Sequence, residues 1–141
     1  LKAFPEAKII HIKRDSMAIC WSIYKKYFGV RGNGWAYSQG DIAQYYLLYQ
    51  DLMRFWNELY PHKIYDVSYE SLTTNQEEET RKLLDYCELD WNENCLNFHK
   101  NPRAVQTASS IQVRKKMYKG SSDAWKDYQE FLQPLIKTLN K

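Results

Sequence analysis

The stretch Lys8–Phe28, KIIHIKRDSMAICWSIYKKYF, constrains the fold more than any other part of the chain. Ile9, Ile10 and Ile12 form a short β-branched run of the kind buried on both faces of a parallel sheet, and the run ends in two cations, Lys13 and Arg14. Asp15 or Ser16 then supplies an N-cap. Met17, Cys20, Trp21, Tyr24 and Phe28 follow at helical spacing, which predicts a helix running as far as Gly29. Ala18, Ser22, Lys25 and Lys26 occupy the opposite face. A strand that feeds straight into a helix sets Arg14 beside the helix opening, where unbonded backbone N–H groups and the dipole favour an anion. The guanidinium offers a bidentate grip on a phosphate, Ser22 adds a hydroxyl two turns in, and Lys26 lies one turn beyond. An arginine paired with Asp15 or another surface acid explains the same residues. His11, inside the strand, fits a core or edge position better than a catalytic one.

The remaining pattern continues as a crossover unit. Val30–Gly40, with Gly32, Gly34, Gly40, Trp35 and Tyr37, reads as a mobile loop and a candidate lid or acceptor-side loop, a solvent-facing linker being equally consistent. A long helix is expected from Asp41 to about Tyr60, its core face traced by Ile42, Tyr45, Tyr46, Tyr49, Leu52, Met53, Trp56 and Leu59 and its end set by Pro61. Lys63–Tyr69 reads as a second strand. Strand, helix and strand at this distance suggest parallel neighbours joined by a crossover.

Further along, a helix start is expected over Thr73–Glu78, with Thr74 or Asn75 as cap. The glutamates Glu77–Glu79 read as a solvated first turn favoured by the dipole, and not as a metal site. Trp91–Phe98 forms a short helical piece in this reading, and Asn101–Tyr118 is irregular, carrying the densest basic cluster, Arg114, Lys115, Lys116 and Lys119. Ser121 or Ser122 is expected to cap a final helix that Pro134 kinks or restarts near Leu135.

Composition bounds the function. A length of 141 residues fits one domain, here 1–141, and 44% apolar with 26% charged residues argues for a globular protein. A net charge of +3 is too mild to predict nucleic-acid binding. Cys20, Cys87 and Cys95 form no CxxC pair and lie near no His at ligand spacing, so buried or half-buried free thiols are expected, with no metal site. No apolar run reaches the roughly 18 residues of a membrane span.

Three segments together resemble the sulfotransferases that use 3'-phosphoadenosine 5'-phosphosulfate, most nearly the bacterial branch attached to tetratricopeptide repeats, itself similar to the tyrosylprotein sulfotransferases. PEAKIIHIKRDSMAICWSIYKKYF resembles the family's 3'-phosphate strand and helix, which implies that Arg14 and Ser22 contact the 3'-phosphate. VSYESL resembles a second strand end whose tyrosine, here Tyr69, lies by the adenine. TASSIQVRKKMYKGSSDAWKDY resembles the late nucleotide-binding loop, implying contacts from Ser109, Arg114 and Lys115. Tyr118, Lys119 and Gly120 stand where small-molecule sulfotransferases carry Arg-Lys-Gly before the same tryptophan. Two positions depart from the pattern: Lys116 stands where proline is common, and Ala124 where relatives often have a basic residue.

The resemblance implies an α/β fold, the carboxyl-terminal part of a P-loop-NTPase-like sulfotransferase domain, mostly helical with a few parallel strands. The cofactor-binding residues it implies are Arg14, Ser22, Lys26, Tyr69, Ser109, Arg114, Lys115, Lys119 and Gly120. The family's phosphosulfate loop and catalytic base have no match in the chain, so it is expected to be a fragment that holds the 3'-phosphate and adenosine, is inactive alone, and contains no catalytic residue or metal. The acceptor would be a hydroxyl or amine on a small molecule, glycan or protein tyrosine. An incomplete sheet would leave an apolar edge that favours a fragment dimer. A cytoplasmic location follows only if the bacterial resemblance holds. Two other classes fit parts of the pattern: a noncatalytic helical interaction domain, and a fragment of another P-loop-like enzyme such as a nucleotide kinase.

Overall fold

The computed structural model describes residues 3–29, 31–104 and 112–140. In chain order the strands and α-helices are β1 (Ile9–Lys13), α1 (Ser16–Tyr24), α2 (Gln39–Leu59), β2 (Ile64–Ser68), α3 (Tyr69–Thr74), α4 (Gln76–Tyr86) and α5 (Gln133–Leu139). The chain divides into two compact units, Leu1–Ile12 with Tyr65–Lys119, and Lys13–Ile64 with Gly120–Lys141.

The first unit is built on the parallel pairing of β1 with β2, which α1 and α2 separate in sequence, as a crossover requires. His11 Nδ1 and Asp66 Oδ1 meet across the pair at 2.7 Å, so the strand histidine serves a cross-strand contact. The expected burial of β1 on both faces is not observed: Ile9, Ile10 and Ile12 are 36%, 44% and 58% exposed. Burial of both faces needs elements packed above and below the sheet, which the composition of a strand does not supply. Val67 of β2 is the buried apolar residue of this unit among those described.

Beside the sheet, Tyr65 stacks on Tyr86 at 4.7 Å between centroids, and Lys8 Nζ lies 5.3 Å from the same Tyr86 ring. Lys8 also bonds Glu88 at 2.5 Å, which raises the lysine's pKa and lowers that of the carboxyl. Glu88 sits in the left-handed region at φ 58°, where the Leu89 N–H reaches Leu84 O at 2.9 Å and closes the end of α4. Glu77, Glu78 and Glu79 occupy the first turn of α4 and pair with Arg81 and Lys82, in keeping with a solvated helix start. Ahead of it stands α3, which the sequence pattern missed. Ser68 caps it by accepting from the Ser71 N–H at 3.2 Å.

The second unit has its own core. Met17 and Cys20 of α1, Ile42 and Ala43 of α2, and Leu132 and Leu135 at α5 are buried together, with Trp21, Trp35, Tyr46 and Trp125 packed around them. On the face of α1 opposite the predicted stripe, Ala18 is buried and Ser22, one turn on, is half-buried, whereas Lys25 and Lys26, past Tyr24, are exposed. The helix also ends earlier than its apolar spacing suggests. After Tyr24 the Lys26 N–H bonds Ile23 O, tightening the last turn, and the Tyr37 hydroxyl accepts from Phe28 N–H and donates to Phe28 O, holding the chain in another direction.

The glycine-containing stretch after it, expected to be a loop, carries a short helical turn. Val30 lies outside the described residues, but Gly34–Tyr37 forms a 3₁₀ turn that buries Ala36 and stacks Trp35 on Tyr45 at 4.3 Å. Ser38 caps α2, accepting from Asp41 N–H at 3.3 Å. The exposed side of α2 carries Leu48, Leu52, Phe55 and Leu59, so the predicted core stripe is only partly buried. Toward the carboxyl end, Lys126–Leu132 is 3₁₀ and α5 begins at Gln133 with Pro134 in its first turn. Proline lacks the N–H that an unbroken helix would need there, so the chain restarts as expected, but from a tighter helix.

Candidate phosphate-binding site

Arg14 follows β1 directly and precedes the cap of α1. Its side chain is half-buried and crosses to the far end of the second unit. Nε donates to Ser122 Oγ at 3.1 Å, and Nη2 donates to Ser121 O at 2.8 Å and to Ser121 Oγ at 3.2 Å. Gly120, immediately before these serines, has φ +83°, a conformation that side-chain-bearing residues rarely adopt. Its carbonyl accepts from the Asp123 N–H at 3.1 Å, which folds the segment into a turn and presents Ser121 and Ser122 to the guanidinium. These serines were expected to cap a helix; they bind Arg14 instead. Periodicity does not single out their hydroxyls, and their place directly after Gly120 is the local signal of the turn.

The helix opening itself is taken by an acid. Asp15 Oδ1 accepts from the Ala18 N–H at 2.8 Å and Asp15 O from the Ile19 N–H at 3.0 Å. Of the N–H groups at the opening of α1 that an anion was expected to meet, that of Ala18 is therefore bonded within the chain. Ser22 lies half-buried on the second turn of α1. Lys26 lies beyond the end of the helix and is exposed, so it does not continue Ser22's helical face as the spacing suggested. Neighbouring Lys25 holds its Nζ 5.7 Å from the Trp21 ring, which also packs on Tyr128 at 4.6 Å. Cys20, beneath α1, has its thiol pushed up to about 12 by burial first and by the Asp15 charge second, so it is an inert core thiol.

The other expected residues belong to the first unit, apart from Ser109, which lies outside the described residues. Tyr69 is the first residue of α3 and half-buried; Lys115 and Lys119 are exposed. Arg114 donates from Nη1 to Asn101 O and from Nη2 to Arg103 O, the latter at 2.6 Å. It therefore ties the backbone of 101–103 to the 3₁₀ turn Gln112–Arg114. An open cleft of about 630 Å³ adjoins this tie, lined by Asn94, Cys95, Asn97, Phe98, Lys100 and Pro102 among others. Among the described residues there is no cluster of three metal-binding side chains, and no helix is long and apolar enough to cross a membrane.

A profile of the sulfotransferase family matches residues 1–93, about two thirds of the chain. The chain belongs to the sulfotransferase family. The matched residues include Arg14, Ser22, Lys26 and Tyr69, while the late segment from Arg114 to Gly120 lies beyond them. An uncharacterized protein of Aquifex aeolicus (strain VF5) is 36% identical over 143 residues, covering 100% of this chain and 19% of the relative. The chain thus spans about a fifth of the length of that relative, whose similarity extends through the late segment.

Proposed function

We propose that this sulfotransferase segment recognises the 3'-phosphate and adenosine of 3'-phosphoadenosine 5'-phosphosulfate in an enzyme that sulfates an acceptor hydroxyl or amine. In such a transfer the acceptor atom bonds to sulfur as the bond from sulfur to the 5'-phosphate oxygen breaks. The acceptor proton passes to a base, and adenosine 3',5'-bisphosphate departs. The part of this chain is recognition of the nucleotide, and no residue of it is assigned as the base. The tetratricopeptide-linked or tyrosylprotein-type branch remains the proposed affiliation, with the acceptor among small molecules, glycans or protein tyrosines.

The observation that supports this reading most is the convergence of Arg14 with the turn that follows Lys119 and Gly120, across more than a hundred residues of sequence. Both partners lie in segments that resemble nucleotide-binding parts of the family, and a guanidinium held by neutral oxygens keeps its charge for an anion. Ser22, half-buried on the adjoining helix, is the proposed hydroxyl partner. Lys26, Lys115 and Lys119 are proposed as more loosely placed cations and Tyr69 as the adenine neighbour. Calorimetric titration tests the proposal: adenosine 3',5'-bisphosphate is expected to bind more tightly than adenosine 5'-monophosphate. Equal affinity would overturn it and favour a different nucleotide enzyme, and no binding of either would favour an interaction domain.

A further inference from the structure

Arg14 is held at one edge. Its Nε and Nη2 donors meet Ser122 Oγ, Ser121 O and Ser121 Oγ within 2.8–3.2 Å, so two adjacent residues engage the same side of the guanidinium. A planar group bonded twice along one edge has its plane and its distance from the backbone defined. We infer that Ser121 and Ser122 are positioning residues for the 3'-phosphate, acting by setting the plane of Arg14; this rests on the nucleotide-binding role proposed above.

The choice of side chain matters for this role. An aspartate at either position could accept the same hydrogen bonds, but its charge would neutralise the guanidinium and weaken its pull on a phosphate. A hydroxyl and a backbone carbonyl orient the arginine without adding a charge of their own. The turn that delivers them depends on Gly120 at φ +83° and on the bond from Asp123 N–H to Gly120 O. The positioning pair is therefore set by backbone geometry next to the segment itself. An arginine fixed in this way loses less freedom on binding a phosphate than an unsupported one.

The test compares two ligands in the full-length protein, adenosine 3',5'-bisphosphate and adenosine 5'-monophosphate, and follows the ratio of their dissociation constants. The double variant Ser121→Ala, Ser122→Ala is expected to lower the preference for the bisphosphate by about tenfold, the scale of losing a hydrogen bond to a charged group, while affinity for the monophosphate stays unchanged. Ser122→Thr, which keeps the hydroxyl, is expected to retain the preference, and Ser122→Asp to abolish it although it can still bond Arg14. An unchanged ratio in the double variant, or an equal loss for both ligands, would overturn the positioning role. If the double variant does not fold, the Thr and Asp variants decide: equal ratios in those two would overturn it. A wild-type protein without preference for the bisphosphate would instead overturn the nucleotide-binding role on which the inference stands.

Discussion

Arg14 donates from Nη2 to the backbone carbonyl of Ser121 at 2.8 Å, although 107 residues separate the two. The bond joins the residue at the end of β1 to the turn that leads toward α5, within a unit whose core is formed by α1, α2 and α5. Tertiary packing of those helices brings the two segments together; neither segment specifies the other locally. A phosphate-gripping arginine at this place would thus depend on the carboxyl-terminal turn as well as on its own strand and helix.

Arg14→Ala is expected to weaken binding of adenosine 3',5'-bisphosphate by about 1.5–3 kcal/mol, the usual worth of hydrogen bonds to a charged group. Arg14→Lys keeps the charge but not the planar fork and should recover only part of the loss. Titration of the two variants beside wild type checks this. An affinity unchanged in Arg14→Ala removes the residue from the site.

Gly120→Ala isolates the turn. A Cβ at this position meets no atom within 4 Å, so crowding contributes nothing, and the penalty is that of the left-handed backbone at φ +83°. The expected loss is about 1–2 kcal/mol of folding stability, with a smaller loss for Gly120→Asn, which tolerates that region better. Urea unfolding measures it. A stability equal to wild type would mean that the turn relaxes to another conformation in solution, which would also release Ser121 and Ser122 from Arg14.

Much of this arrangement was legible before any coordinates. The long periodicity of α2 and the β-branched run of β1 located both elements, and the arginine after β1 is the residue on which the proposed phosphate site rests. What failed did so for local reasons. The apolar spacing of α1 continues to Phe28, yet the helix stops because the Tyr37 hydroxyl bonds both backbone groups of Phe28, a contact that no periodicity encodes. The burial of Ile9, Ile10 and Ile12 was inferred from their chemistry, whereas exposure depends on what packs on the two faces of the sheet. Arg114 bonds the carbonyls of Asn101 and Arg103, a structural tie that the basic cluster did not announce. Every residue carries such an acceptor, so these partners leave no mark in the sequence. Ser121 and Ser122 have the composition of a helix cap; the turn at Gly120 and the packing of three helices bring them to Arg14 instead.

The two units should respond differently to core truncation. Leu135 is fully buried between helices, so Leu135→Ala is expected to destabilise by about 2–5 kcal/mol through lost burial and the cavity left behind. Ile12 is 58% exposed on β1, and Ile12→Ala should change stability by less than about 1 kcal/mol. Denaturant titration of both variants compares them, and a larger loss at Ile12 would mean that the strand is covered in solution. The proposed pairing of two chains through this exposed run would provide such a cover. Sedimentation showing only monomer at high concentration would refute that pairing.

Cys20 provides a pH test of the helical core. Its thiol is raised from 9.0 to about 12, chiefly by burial, so folded and unfolded chains bind the same proton at neutral pH. Above pH 9 the unfolded thiol ionises while the folded one stays protonated. The folded state then binds more protons, and stability falls with rising pH until the folded value is reached, by at most about 1.4 kcal/mol per pH unit. Cys20→Ala is expected to flatten this part of the stability curve between pH 9 and 10.5. A thiol reagent at pH 8 should correspondingly modify the half-buried Cys87 and Cys95 before Cys20, which becomes reactive only on unfolding. Modification of Cys20 at the rate of the other two would show that α1 opens from the core in the native state.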